Sequence, residues 1–237
     1  MARTALVIYH LRPVPDDAAT AALVRAGYTL DRRFPIEGDP LPRPDAGHDI
    51  ALVHGSLADV TRIDAPGIAE EHRWIEAWWP TGRPYLGICH GLQLATLLLG
   101  GSVGAPRHRQ AEFGYYPLTS HAPALVPDGL RVFQWHYYGA DLAPGAERLA
   151  SSALYPNQVV RFGPARFGLQ CHAELGLDTQ RLLRSTDVAG PTRPGAQDRV
   201  AQDALAERYF RPMRDWIERF LGAWLREAGA STESSAR

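Results

Sequence analysis

Short blocks of uninterrupted apolar residues alternate with longer stretches of helical periodicity over the first hundred positions. Leu6-Val7-Ile8-Tyr9 reads as a first buried strand, inside a strand-like run from Ala5 to Leu11. Asp16 to Gly27 predicts a helix: Asp16 or Asp17 caps it, Ala22, Leu23 and Ala26 form its apolar stripe, and Gly27 ends it. Tyr28 to Phe34 reads as a second strand and Asp49 to Val53 as a third, with a proline-rich loop from Pro35 to Gly47 between them. Gly67 to Trp79 has helical spacing, Tyr85 to Ile88 is a fourth apolar strand, and Leu92 to Leu99 is again helical, closed by Gly100-Gly101. Strands alternating with helices define βαβ units. They predict an α/β fold with a mostly parallel central sheet and helices on both faces.

The second half has a different texture. Phe113 to Leu118, Leu130 to Trp135, Gln158 to Phe162 and Arg166 to Cys171 read as strands separated by Gly and Pro, and predict antiparallel additions to the sheet. Residues 176–202 are polar and contain Gly190, Pro191, Pro194 and Gly195, which reads as a loop. A long amphipathic helix is expected from Asp203 to Ala228, with Leu205, Tyr209, Met213, Trp216, Ile217, Phe220, Leu221 and Trp224 on one side. Residues 1–228 therefore read as one domain and 229–237 as a disordered tail.

The stretch that organises this pattern is Pro84 to Gln93. Cys89 falls where a strand becomes a helix, with Gly87 and Gly91 two positions to either side. That layout is a nucleophile elbow, in which a tight turn holds the side chain in an unusual backbone geometry and glycine relieves crowding. The positive end of the helix dipole also favours a thiolate there. A thiol attacking an amide carbon needs a base, and the base needs a partner that fixes its tautomer. His172 and Glu174 supply both. They end a short strand two residues apart, so they point to the same side. The competing readings are plain: Cys89 as a small core residue, His172 as a surface histidine beside a solvated Glu174, His90 as a polar surface residue in the first helical turn. The catalytic reading uses only the backbone N–H of His90, as an oxyanion-hole donor. Cys171 points opposite to His172 and reads as core.

Composition narrows the chemistry further. The chain has 237 residues, 45% hydrophobic and 22% charged, with a formal net charge of −1, so there is no bulk electrostatic case for nucleic acid or an acidic membrane. Two cysteines make no disulfide framework. No apolar run approaches the roughly 20 residues that span a bilayer, the N-terminus lacks a signal-peptide core, and a cytoplasmic protein is expected. The histidines show no i, i+4 metal pairs and no Gly-rich phosphate loop with Lys occurs, so neither metal nor other cofactor is expected.

Gly87-x-Cys89-x-Gly91-x-Gln93 together with His172-x-Glu174 resembles the class I (triad) glutamine amidotransferases, and most closely stand-alone proteins similar to the glutaminase domain of GMP synthase. Phe113 to Leu118, Phe133 to His136 and Leu142 to Ser152 sit where that family has comparable strands. The resemblance implies hydrolysis of the glutamine side-chain amide through a γ-glutamyl thioester on Cys89, with ammonia passed to a separate synthetase or acceptor subunit. It implies His172 as base and acid, Glu174 as orienter, backbone N–H groups at Gly55, Ser56 and His90 as the oxyanion hole, and Gln93 with the segment after His136 as the glutamine site. Two departures bear on substrate. The family's Gly-Gly-Pro is Gly55-Ser56-Leu57, where the Ser56 β-carbon restricts the backbone, and its frequent Gly-Asp after the histidine is Tyr137-Tyr138, two rings that narrow the pocket. These leave open a hydrolase or transferase of another γ-glutamyl compound or amide, and an inactive binding homologue.

Overall fold

The apolar runs form strands because both faces of the sheet they build are covered. In the computed structural model, which describes residues 3–10, 12, 17–186 and 192–235, the first half contains β1 (Arg3–Ile8), α1 (Ala18–Arg25), β2 (Tyr28–Arg33), β3 (Ile50–Val53), α2 (Pro66–Trp78), β4 (Tyr85–Ile88) and α3 (His90–Leu98). The second half adds the short β5 (Val103–Gly104), β7 (Thr119–Ser120) and β9 (Gly139–Ala140). It also holds β6 (Glu112–Pro117), β8 (Arg131–His136), β10 (Glu147–Ser151), β11 (Val159–Gly163), β12 (Arg166–Leu169), α4 (Leu177–Thr186) and α5 (Arg199–Ser235). Leu11, Asp16 and Gly190-Pro191, which the sequence reading used, lie outside the described residues. Asp17 is the cap of α1, its side chain accepting the Thr20 N–H at 2.7 Å.

The main sheet has eight strands in the order β2-β1-β3-β4-β12-β11-β10-β7. The five from β2 to β12 are parallel and the rest antiparallel. Successive residues of each parallel strand feed opposite cores. Ala5, Val7, Ile50, Leu52, Leu86 and Ile88 pack against Leu23 of α1 and Trp216, Ile217 and Phe220 of α5. Leu6, Ile8, Ala51, Val53 and Tyr85 pack against Trp74, Ile75 and Trp78 of α2 and Leu94 and Ala95 of α3. Strands buried on both sides read as continuous apolar runs, which is why periodicity found them. Among the described residues no helix is long and apolar enough to cross a membrane.

Several details differ from the sequence reading. Arg166–Leu169 is not an antiparallel addition but pairs parallel with β4. Residues of the 113–118 and 130–135 runs form a separate two-stranded sheet, β6 with β8. Leu177–Thr186, expected as loop, is helical. Its sequence is mostly polar and it buries little more than Thr179, Gln180, Leu183 and Arg184, so its apolar stripe is too thin to register. The last helix starts at Arg199 rather than 203 and runs through Gly229 to Ser235, where a disordered tail was expected.

Helix α3 lies unusually close to the sheet. A β-carbon at Gly91 would sit 2.4 Å from the Val53 carbonyl oxygen, and one at Gly87 would sit 2.4 Å from the Gly91 carbonyl carbon. Both neighbours are backbone and cannot swing away. Gly91→Ala is therefore expected to destabilise the fold by about 1–3 kcal/mol through overpacking, read as a lower urea midpoint with an unchanged m-value.

Candidate active site

Four neighbouring parallel strands, β1, β3, β4 and β12, end at one edge, and the residues just beyond them converge. Ile8 is level with Val53, Val53 with Gly87, and Ile88 with Leu169. The chain after β4 then turns sharply: Cys89 has φ 50° and ψ −98°, outside the regions that L-residues ordinarily occupy. Its N–H donates to the Leu169 carbonyl at 2.6 Å, and its carbonyl accepts from Gln93 N–H as the first turn of α3 begins. The strain of the elbow is thus held by the neighbouring strand on one side and the helix on the other.

His172 comes to the same edge from β12. Its Nδ1 lies 2.9 Å from Glu174 Oε1, and both side chains are buried. The other edge of the ring is turned to Gly55 and Cys89: a β-carbon on Gly55 would meet His172 Cε1 at 2.5 Å, His172 Nε2 at 3.3 Å and Cys89 Cβ at 3.4 Å. Gly55 is glycine because the imidazole occupies its side-chain space. Burial by itself would push His172 down. The Glu174 carboxylate and the hydrogen-bonded Cys89 sulfur more than offset this and hold it up at about 10, so the ring faces the sulfur as a cation near neutral pH. The second thiol differs: Cys171 is fully buried, and burial pushes it up, leaving it without nucleophilic character.

A cleft opens on the sulfur, lined by Leu57, Cys89, Gln93, Trp135, Tyr137 and Tyr138 among others. The structure therefore brings the predicted Gln93, Tyr137 and Tyr138 to the predicted nucleophile. Gln93 donates to Gln170 Oε1 at 3.3 Å, and Gln170 Nε2 lies 3.4 Å from Cys89 Sγ. Gln170 was missed by the sequence reading, although its position two residues before His172 on an extended segment places it on the same side. Tyr137 and Tyr138 pack edge to face with centroids 4.7 Å apart, Arg193 lies 3.9 Å over the Tyr137 ring, and the Tyr138 hydroxyl donates to Asp59 at 3.4 Å. A second, largely apolar cleft lies across the Ser56–Ala58 segment and reaches Tyr9, His54, Trp135, His172 and Glu174.

His90 is not a surface residue. Its ring is buried, with Nε2 2.8 Å from Glu71 Oε2. The other oxygen of Glu71 lies 3.0 Å from His10 Nε2, and His10 Nδ1 lies 3.1 Å from the Gly55 carbonyl oxygen. No sequence signal marked this group, since Glu71 sits within an ordinary amphipathic helix. Among the described residues, His10, Glu71 and His90 also form the one cluster whose ligating atoms, all within 4.8 Å of one another, have the composition of a metal site. Their nitrogens stand at hydrogen-bond distance from the carboxylate oxygens.

This arrangement can be set beside known proteins. Residues 21–185 match the family model "Glutamine amidotransferase class-I". A glutamine amidotransferase-like protein of Salmonella typhimurium, YfeJ, is 30% identical over 205 residues, covering 80% of each chain. The GMP synthase [glutamine-hydrolyzing] of Burkholderia cenocepacia is 35% identical over 102 residues, which are 37% of this chain and 19% of that protein. A glutamine amidotransferase from Thermotoga maritima superposes with a TM-score of 0.81 at 26% identity, over 94% of this chain and 98% of that one. One from Methylobacillus flagellatus shares the fold with a TM-score of 0.83 at 20% identity, over 96% and 95% of the two chains. The chain belongs to the class I glutamine amidotransferase family.

The His172–Glu174 pair gives a signed pH dependence. The folded-state value of His172, about 10, lies above its ordinary 6.5, so its contribution to stability is fully present below about 6.5 and is lost as pH rises through about 10. Replacing Glu174 with Gln removes the carboxylate that raises it. The Tm gap between wild type and Glu174→Gln should be widest at and just below pH 6.5 and close toward pH 10, as followed by calorimetry across that range.

Proposed function

We propose that this protein is a glutaminase of the triad type, acting as one unit over residues 1–228 and handing ammonia to a separate acceptor enzyme. The reading is carried by one observation: a cysteine strained at φ 50° on the elbow, open to a cleft, with a His172–Glu174 pair 2.9 Å apart behind it. The Cys89 sulfur attacks the side-chain carbonyl carbon of glutamine and a C–S bond forms. The charge that develops on oxygen is met by the backbone N–H groups of Ser56 and His90. Collapse breaks the C–N bond as His172 Nε2 gives its proton to the leaving nitrogen, and ammonia departs. His172, now neutral, takes a proton from water, which attacks the γ-glutamyl thioester. The C–S bond breaks, glutamate leaves, and the sulfur and imidazolium are restored. Glu174 keeps the proton of Nδ1 in place throughout, so that Nε2 is the nitrogen that exchanges protons with the reacting atoms. Family membership and the glutamine-hydrolyzing relative support glutamine as substrate.

A second reading, turnover of another γ-glutamyl compound or amide by the same triad, draws support from Tyr137 and Tyr138. Their rings line the cleft at the sulfur, braced by Arg193 and Asp59.

Incubation with glutamine should release ammonia, and a diazoketone analogue of glutamine should label one site. Cys89→Ala should lose both, a fall in kcat of about 10⁴-fold or more, since no thioester can form. Substantial residual turnover in that variant would remove Cys89 from the role. Tyr137→Gly is expected to change the ratio of kcat/KM for glutamine to that for a bulkier γ-glutamyl amide. An unchanged ratio would show that the ring is packing alone.

A further inference from the structure

Glu71 lies in the middle of α2, remote in sequence from every residue of the triad, yet its carboxylate is buried between two imidazoles. Oε1 lies 3.0 Å from His10 Nε2 and Oε2 lies 2.8 Å from His90 Nε2. Each of these histidines leads to one of the two peptide groups assigned above to the oxyanion hole. His90 directly follows Cys89, and its own N–H is one donor. His10 reaches the other through Nδ1, 3.1 Å from the Gly55 carbonyl oxygen. A peptide group is planar and trans, so the Gly55 carbonyl and the Ser56 N–H point in opposite directions from one rigid plate. Holding that carbonyl against His10 therefore sets the direction in which the Ser56 N–H is presented.

The proton arrangement follows from the partners. A backbone carbonyl can only accept, and so can an ionised carboxylate. Burial alone would push Glu71 up, but His10 and His90 together hold it down at about 2, so it is ionised. His10 thus faces an acceptor at each nitrogen. His90 donates Nε2–H to Glu71, while burial and the neighbouring His10 push the ring down against the pull of Glu71 and the Ala58 backbone. The unit is a buried histidine–carboxylate–histidine chain. Such a pair contributes little net stability, because desolvation cancels much of the attraction, but it fixes orientation.

We propose that Glu71 and His10 are positioning residues for the oxyanion hole: the Glu71 carboxylate, through His10 on Gly55 and through His90 beside Cys89, holds the two donor peptides in register. The proposal rests on the triad reading above. It predicts a defect confined to the step in which charge grows on the carbonyl oxygen. Substrate binding and the reactivity of the sulfur toward reagents that form no oxyanion are left in place.

The test compares wild type, Glu71→Gln, His10→Phe and the double variant, with glutamine and with a chromogenic γ-glutamyl anilide as substrates. Alkylation of Cys89 by chloroacetamide, a displacement at saturated carbon, is followed in parallel. Each single variant should lower kcat by about 10²-fold, the size associated with losing one oxyanion donor. KM should stay within about threefold and alkylation should keep its wild-type rate. The double variant should be no worse than the poorer single one, because the two residues act in series. Either single variant decides the matter alone: if one fails to fold by circular dichroism, the other carries the test. Wild-type kcat in a folded variant overturns the proposal, as does a fall in alkylation matching the fall in kcat, which would mean general disruption of the site. A stoichiometric divalent metal in the purified wild type, lost with Glu71→Gln, would also overturn it and make the cluster a cation site. Failure of the triad reading looks different: the wild type itself would then hydrolyse neither substrate and take no diazoketone label.

Discussion

The parallel pairing of β4 with β12 is the constraint on which the site depends. Parallel neighbours run in the same direction and finish at the same edge, so whatever follows them in the chain is brought together without further design. Here Ile88 is level with Leu169, and the next backbone hydrogen bond, Cys89 N–H to the Leu169 carbonyl, ties the elbow to the strand that delivers His172. β3 and β1 extend the same edge to Gly55 and His10. A one-residue slip between β4 and β12 would turn His172 to the opposite face and leave the sulfur facing Cys171. The apolar burial of both sheet faces, rather than any contact inside the site, prevents that slip.

The elbow adds strain to this frame, and two close approaches hold it. Gly87 and Gly91 are glycines because α3 lies on the strands with no room for a β-carbon, whereas Cys89 is the residue that carries the positive φ. The division of labour is sensible. Cys89 keeps its side chain and takes the conformational cost itself, while Gly87 and Gly91 give up theirs to let the helix seat deeply. The helix N-terminus, with its partial positive charge, then begins directly after Cys89.

Much of this was legible in the sequence because the signals are local. Gly-x-Cys-x-Gly between an apolar strand and an apolar helix lies within a few residues, and His172-x-Glu174 within three. Parallel strands buried on both faces leave unmistakable apolar runs. What the sequence hid depends on contacts between distant segments. Arg166–Leu169 looks like its antiparallel neighbours, and only its partner, β4, makes it parallel. Leu177–Thr186 is a surface helix whose polar residues resemble a loop. Glu71 looked like one more acidic residue of an amphipathic helix; its role emerges only when β1, α2 and α3 close around it. Burial of a carboxylate has no local signature in the chain.

The loop at Gly55-Ser56-Leu57 illustrates how a family pattern should be weighed against geometry. From the sequence, a serine in place of the second glycine reads as a restriction on the backbone of this loop. Among the described residues, however, the non-glycine positions with positive φ are Cys89, Arg109 and Ala165, so Ser56 sits in a conformation open to any L-residue. Its hydroxyl oxygen accepts the Ala58 N–H at 3.0 Å, closing a local turn that glycine could not close. The position that tolerates no side chain is Gly55, whose β-carbon space is taken by the His172 ring at 2.5 Å. The first glycine of the pattern thus answers to the His172 ring. With Gly55 crowded from one side by His172 and its carbonyl met from the other by His10, the Gly55–Ser56 peptide is constrained at both ends, and little is left for the residue at position 56 to decide.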